Sequence, residues 1–231
     1  MLISYQQTTR RLMLNDQTFA KVNDFDLKDW INVARNQVAG ETECCRAQVP
    51  LTLVPSQQVY AFSTIAMPSA SYQGVIAVRL GFIGSTRLDF RSFEWFSEFY
   101  WESGAVGQPV RMAQQGQGTL GSLYFDPVPN ASFLVSLDTA TLPAPLVDVT
   151  SDEIIPAIWT DAVPYFAAYM GFLQQGDKAA ADDMFARYTA FVGRGRTAAT
   201  PSVLPDYQPD GAAAKQSMPP ARQQVSQARP A

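Results

Sequence analysis

The chain has 231 residues, 47% of them hydrophobic, which suffices for one large domain or a core with an appendage. Its formal charge is −4, divided as −5 on residues 1–196 and +1 on residues 197–231, so the body repels phosphate and a nonspecific nucleic-acid binder is excluded. Histidine is absent, which removes the Ser-His-Asp arrangement and most zinc sites and leaves catalysis to carboxylates, lysine or cysteine.

In chain order, MLISYQQTTRRLMLND (1–16) lacks the apolar run of a signal peptide. No later stretch approaches the roughly 18 apolar residues of a membrane span. Synthesis in the cytoplasm is the expectation. A short helix is expected from near Ser4 through Arg10 and Arg11 towards Leu14. DFDLKDWINVARNQVAGE (24–41) predicts the clearest helix: Leu27, Trp30, Ile31, Ala34 and Val38 recur at helical spacing, Asp26 suits the N-cap and Gly40 the position after the last turn. Cys44 and Cys45 are neighbours and the only cysteines, so they neither form an ordinary disulfide framework nor complete four metal ligands. They read as small buried hydrophobes with an inert thiol.

From about Pro50 the pattern turns to strands at 58–66, 72–83, 108–115, 119–128 and 131–139, rich in β-branched and aromatic residues and punctuated by Gly, Pro and Asn. FRSFEWFSEFYWE (90–102) interrupts them with a predicted short helix, Phe93, Phe96 and Phe99 or Tyr100 on one face and Glu94, Glu98 and Glu102 on another. Glu94 and Glu98 stand one turn apart on one helix, whereas glycoside hydrolysis needs carboxyls flanking the sugar from opposite sides, so they read as a solvated face. Trp95, Phe96, Phe99, Tyr100 and Trp101 exceed what one core stripe can take, which marks Trp95, Tyr100 and Trp101 as partner-facing. GQGTLG (116–121) matches a dinucleotide fingerprint by letter, but a strand and a proline follow it instead of a helix, so it reads as a hairpin loop able to reach a neighbouring subunit.

PAIWTDAVPYFAAYMGFLQQGDKAAADDMFARYTAFVGRGR (156–196) predicts two helices, the first opening at Pro156 and ending before Gly176, the second capped by Asp177 and closing near Gly193. Pro164 should kink the first or sit where a carbonyl is free. RGR (194–196) suits the negative end of the second helix dipole. The tail, with PDYQPDGAAAKQSMPPARQQVSQARP at 205–230, lacks side chains to bury and predicts an extended arm that takes its order from a partner. Its contact candidates are Pro205, Tyr207, Pro209, Lys215, Met218, Arg222 and Arg229.

The layout predicts an α+β protein: N-terminal helices (1–49) and C-terminal helices (150–196) in one bundle, an antiparallel β-rich insertion (50–149), and a C-terminal arm (197–231).

WINVAR (30–35) behind an acidic cap, the strand pair LYFDPVPNASFLVSL (123–137) and the helix pair IPAIWTDAVPYFAAYMGFLQQGDKAAADDMFARY (155–188) together resemble head-to-tail adaptor proteins of short-tailed phages, the head-completion or tail-tubular family. The likeness spans about residues 1 to 193. It implies a homo-oligomeric ring, typically a dodecamer, at the head-tail junction of the virion. In such a ring the subunits sit beneath the portal protein and above the tail nozzle or tail tube protein. DNA passes through the lumen without specific binding, no reaction is catalysed and no cofactor is held. Family members dock to the portal through a C-terminal arm; the alanine- and glutamine-rich stretch after Thr197 occupies that place but departs in composition. Two other readings stay open at the level of sequence: another tail or nozzle component, and a monomeric module whose β region grips a small ligand or glycan by its aromatics.

Overall fold

The computed structural model describes residues 1–13, 22–99, 104–148 and 151–199. It is an α+β fold in which helices from both ends of the described chain share one core and a β region between them holds another.

Helix α1 (Leu2–Leu12) buries Leu2, Tyr5 and Thr9, and Arg10 ties it to the start of α2 (Asp24–Thr42) through Asp24 at 2.6 Å and the Val22 carbonyl at 3.3 Å. The N-cap of α2 is Asn23, not Asp26: its Oδ1 accepts from the Phe25 and Asp26 amides at 2.6 and 3.2 Å. Helix α2 also runs through Gly40 to Thr42 and stops where Glu43 turns left-handed at φ 49°. The extension has a tertiary cause, since Arg196 donates to the Glu41 carbonyl at 2.8 Å and Tyr188 donates to the Glu41 carboxylate at 2.9 Å. Leu27, Ile31, Ala34 and Val38 are fully buried as the spacing predicts, whereas Trp30 lies at the margin of the core and is only half-buried.

The predicted helix from Pro156 is two helices, α4 (Ala157–Thr160) and α5 (Ala162–Gln175), parted at Asp161. Pro164 therefore falls in the first turn of α5, where its missing amide costs nothing. Gly176, at φ 78°, closes α5 by donating to Leu173, while the Asp177 amide reaches Phe172; this left-handed turn suits glycine. Asp177 then caps α6 (Lys178–Ala199) through the Ala180 amide at 3.1 Å.

The β region is two sheets packed face to face. In the first, β1 (Arg46–Thr52), β10 (Leu134–Pro143), β3 (Tyr72–Ile83) and β4 (Thr86–Arg87) lie in that order and all pair antiparallel. In the second, β2 (Val59–Ala61), β8 (Ser122–Asp126), β7 (Arg111–Gln115) and β5 (Asp89–Ser92) lie in order, with β5 parallel to β7. A parallel two-strand ribbon, β6 (Val106–Gly107) with β9 (Val128–Pro129), joins them. Val49, Leu51, Val75, Val135 and Leu137 from one sheet meet Met112, Leu123 and Phe125 from the other.

Strand β1 is not among the predicted strands, the first of which begins at residue 58, and it starts before the pattern change expected at about Pro50. It alternates strictly, with Ala47, Val49 and Leu51 inward, and Pro50 is tolerated because β1 is an edge strand. Between β5 and β6 stands α3 (Phe93–Phe99), shorter than the predicted 90–102 because residues 90–92 belong to β5.

Candidate interaction surfaces

The β lobe is anchored to the helices by a buried polar clamp that the sequence reading missed. Arg35 projects from α2 and is 1% exposed, and its Nε and Nη2 each donate to a different oxygen of Glu153 at 2.9 Å. Its Nη1 donates to the Ala144 carbonyl at 2.7 Å, just past β10. One turn earlier, Asn32 pairs with the Leu146 peptide in both senses, accepting at 2.8 Å and donating at 3.2 Å, as a strand would. Glu153 also accepts from the Ile155 amide at 3.0 Å. The segment leaving the sandwich is thus held to α2 at three peptide groups and one ion pair. A charged residue in an apolar stripe was the only available sign in the sequence, and its partner lies 118 residues away.

At the other connection, from α2 into β1, Cys45 is buried and Cys44 half-buried, with sulfurs 3.9 Å apart. The hydrogen bond between them lowers the Cys44 thiol below its ordinary range, and the same contact, then burial, pushes Cys45 up. Burial, then the Glu153 carboxylate, raises the Tyr5 phenol, which is sealed in the helical core.

Of the aromatic cluster, Phe96 is buried and, with Phe93, packs on Tyr124 on the outer face of the second sheet; their ring centroids lie 6.0 and 4.9 Å from Tyr124. Part of the aromatic surplus is therefore core. Trp95 is half-buried, with the Arg91 guanidinium 4.7 Å over its ring. Glu94 and Glu98 are exposed. Tyr100 and Trp101 lie outside the described residues, as do Pro205, Tyr207, Pro209, Lys215, Met218, Arg222 and Arg229. RGR does not serve simply as the end of its own helix: Arg194 stacks over Phe191 at 4.2 Å, Arg196 closes the end of α2, and α6 continues to Ala199.

Apolar surface is exposed elsewhere. The 116–121 loop is the β7–β8 hairpin connection, as expected, and it holds Leu120 at 94% exposure. On the outer face of the first sheet, Gly81 looks inward at Met112, so Leu80 and Phe82 look outward. Phe82 stands in register with Ser136, and Ser136 with Pro50; Leu134 and Val54, 63% and 50% exposed, extend the strip. Two hollows complete the surface. One of about 400 Å³ lies between α1, α5 and α6, lined by Ser4, Thr8, Thr160, Asp161, Tyr165 and Phe191 among others. The second, of about 430 Å³, runs along the rim of β3 between Glu43, Ala77–Arg79, Phe90, Gln114, Gly116 and Gln117. Among the described residues no helix is long and apolar enough to cross a membrane.

No family model matches the chain, and no curated protein matches it.

Proposed function

We propose that the protein is a structural head-to-tail adaptor of a tailed phage virion, a ring-forming link between portal and tail nozzle that lets DNA pass. The observation that carries this reading is the apolar surface on the outside of the first sheet, exposed at Leu134, Val54 and Pro50 and continued by the half-buried Leu80 and Phe82 between the polar Ser136 and Asp138. A solvent-facing sheet surface with that composition gains stability when an identical neighbour covers it. The α+β architecture, with a helical core from both ends of the described chain and a β insertion, is the one the resemblance implied. The clamp at Arg35 and Glu153 makes the two lobes a stiff spacer, which suits a load-bearing joint. An acidic body gives passing DNA little to adhere to. In this reading the role is structural and the arm after Ala199 fastens the ring to what lies next to it, many weak arms acting together.

A monomeric ligand-binding module is the competing reading, favoured by the 400 Å³ hollow with its hydroxyls and Asp161, which lies in the helices and not in the β region. The deciding experiment mixes the full chain with portal rings of the same virus and images the product. Rings of this chain stacked on the portal are expected. Tight binding of a sugar by a chain that ignores portal rings overturns the adaptor reading.

A further inference from the structure

Strand β3 has a partner strand along one side only for most of its length. Its other side pairs with β4 at Phe82 and Ile83, and the Gly81 carbonyl accepts from Leu88. Among the described residues no strand pairs there with Ala77–Arg79. The gap is not left open. Gln114 reaches across from β7, its Oε1 accepting the Val78 amide at 2.9 Å while its Nε2 donates to the Gly116 carbonyl at 2.8 Å. A side-chain carboxamide thus satisfies one amide of the β3 edge while its own donor turns back into the β7–β8 hairpin, at the rim of the 430 Å³ groove. A site that holds one amide this way is built to receive a peptide backbone, the chemistry of strand addition.

We propose that this groove receives, as an added strand, residues 221–229 of a second copy's arm. This deepens the adaptor reading by naming what the arm grips, and it rests on that reading for the presence of a second copy. Composition, charge and reach select this occupant. The arm is crowded with proline, which cannot donate to a ladder, but ARQQVSQAR (221–229) contains neither proline nor glycine. The segment carries Arg222 and Arg229 with no acid, against a body of charge −5, whereas at the groove itself Glu43 is already paired with Arg79. The stretch from residue 200 to 220 spans up to about 70 Å when extended, enough to leave one subunit and reach the next. Val225, the one β-branched residue in the segment, suits the apolar wall offered by Phe90 and Ala77. On docking, the incoming backbone displaces the Gln114 amide from Val78.

The test uses the full chain with a benzophenone amino acid in place of Val225, as a mixture of nitrogen-15-labelled and unlabelled copies, irradiated and mapped by mass spectrometry. Portal binding is read separately by sedimentation. Crosslinks joining a labelled to an unlabelled copy at residues 77–79 or 114–117 are expected. Gln114→Ala removes the stand-in and raises their yield roughly two- to tenfold, the factor corresponding to one net hydrogen bond. Gln224→Pro, in the arm and away from the folded body, abolishes them. Crosslinks confined to single copies, or falling elsewhere on the surface, overturn the proposal even where portal binding holds. Crosslinks at the groove in a chain that ignores the portal support it while the adaptor reading fails.

Discussion

The Arg35 guanidinium and the Glu153 carboxylate meet edge to edge, two nitrogens on two oxygens at 2.9 Å, with both side chains almost wholly withdrawn from water. The pair bridges α2 and the segment by which the chain re-enters the helices after the β insertion. A bidentate pair at such depth stays favourable only with further hydrogen bonds around it, and here the Ala144 carbonyl and Asn32 accept from Arg35 while the Ile155 amide donates to Glu153.

Glu153→Ala should therefore cost about 3–5 kcal/mol, because it leaves a buried cation uncompensated. The Arg35→Met, Glu153→Leu double variant should lose less than Glu153→Ala alone. Urea unfolding of these chains checks both; a double variant at least as destabilised as Glu153→Ala contradicts the account.

Trp30→Ala should cost about 2 kcal/mol, below the about 3–5 kcal/mol of a fully buried indole, since Trp30 sits at the margin of the core. Gly195→Ala should be costly, because Gly195 is buried on α6 against Trp159. A Cβ there would stand 2.3 Å from the Trp159 ring, a rigid buried neighbour that cannot swing away. Overpacking of about 1–3 kcal/mol follows, whereas Gly193→Ala, with open space around it, should be neutral or slightly stabilising. Thermal unfolding of the two variants separates them.

Burial, then the hydrogen bond to Glu41, keeps the Tyr188 phenol protonated well above its ordinary range. Its unfolded counterpart ionises near pH 10. The stability this group contributes is therefore complete below about pH 10 and is lost as pH climbs through the raised folded value. Tyr188→Phe should flatten the alkaline limb of a stability-against-pH curve measured by urea unfolding. An unchanged slope would contradict it.

Truncation after Ala199 should move the melting temperature by less than about 2 °C, because residues 200–231 carry few large apolar side chains to bury. It should also weaken assembly on the portal. Truncation before Arg196 should lower the melting temperature further, since the Glu41 carbonyl then loses its donor. Paired melting and sedimentation measurements on the two truncated chains test both statements.

Cys44 should react with a water-soluble alkylating reagent in the folded chain while Cys45 stays protected, following their half-buried and buried positions and the opposite directions of their thiol ionisation. Peptide mapping after brief alkylation reads the ratio directly.

The sequence by itself marked the helices and most of the longer strands, because periodicity and turn chemistry are local, while β1 and the short β4, β5 and β6 escaped it. The spacing of Leu27, Ile31, Ala34 and Val38, the glycine stop at Gly176 and the cap at Asp177 all stand in the fold. The α+β layout followed from their order. Tertiary structure decided where elements end and which side chains meet. Helix α2 outruns Gly40 because α6 supplies two donors to Glu41, one to its carbonyl and one to its carboxylate, and Phe96 turned inward because Tyr124 was there to receive it. Gln114 and Val78 are 36 residues apart, Arg35 and Glu153 118. Hydrogen bonds and burial depend on distance in space, and no pattern along the chain encodes that distance until the sheets and helices close on one another.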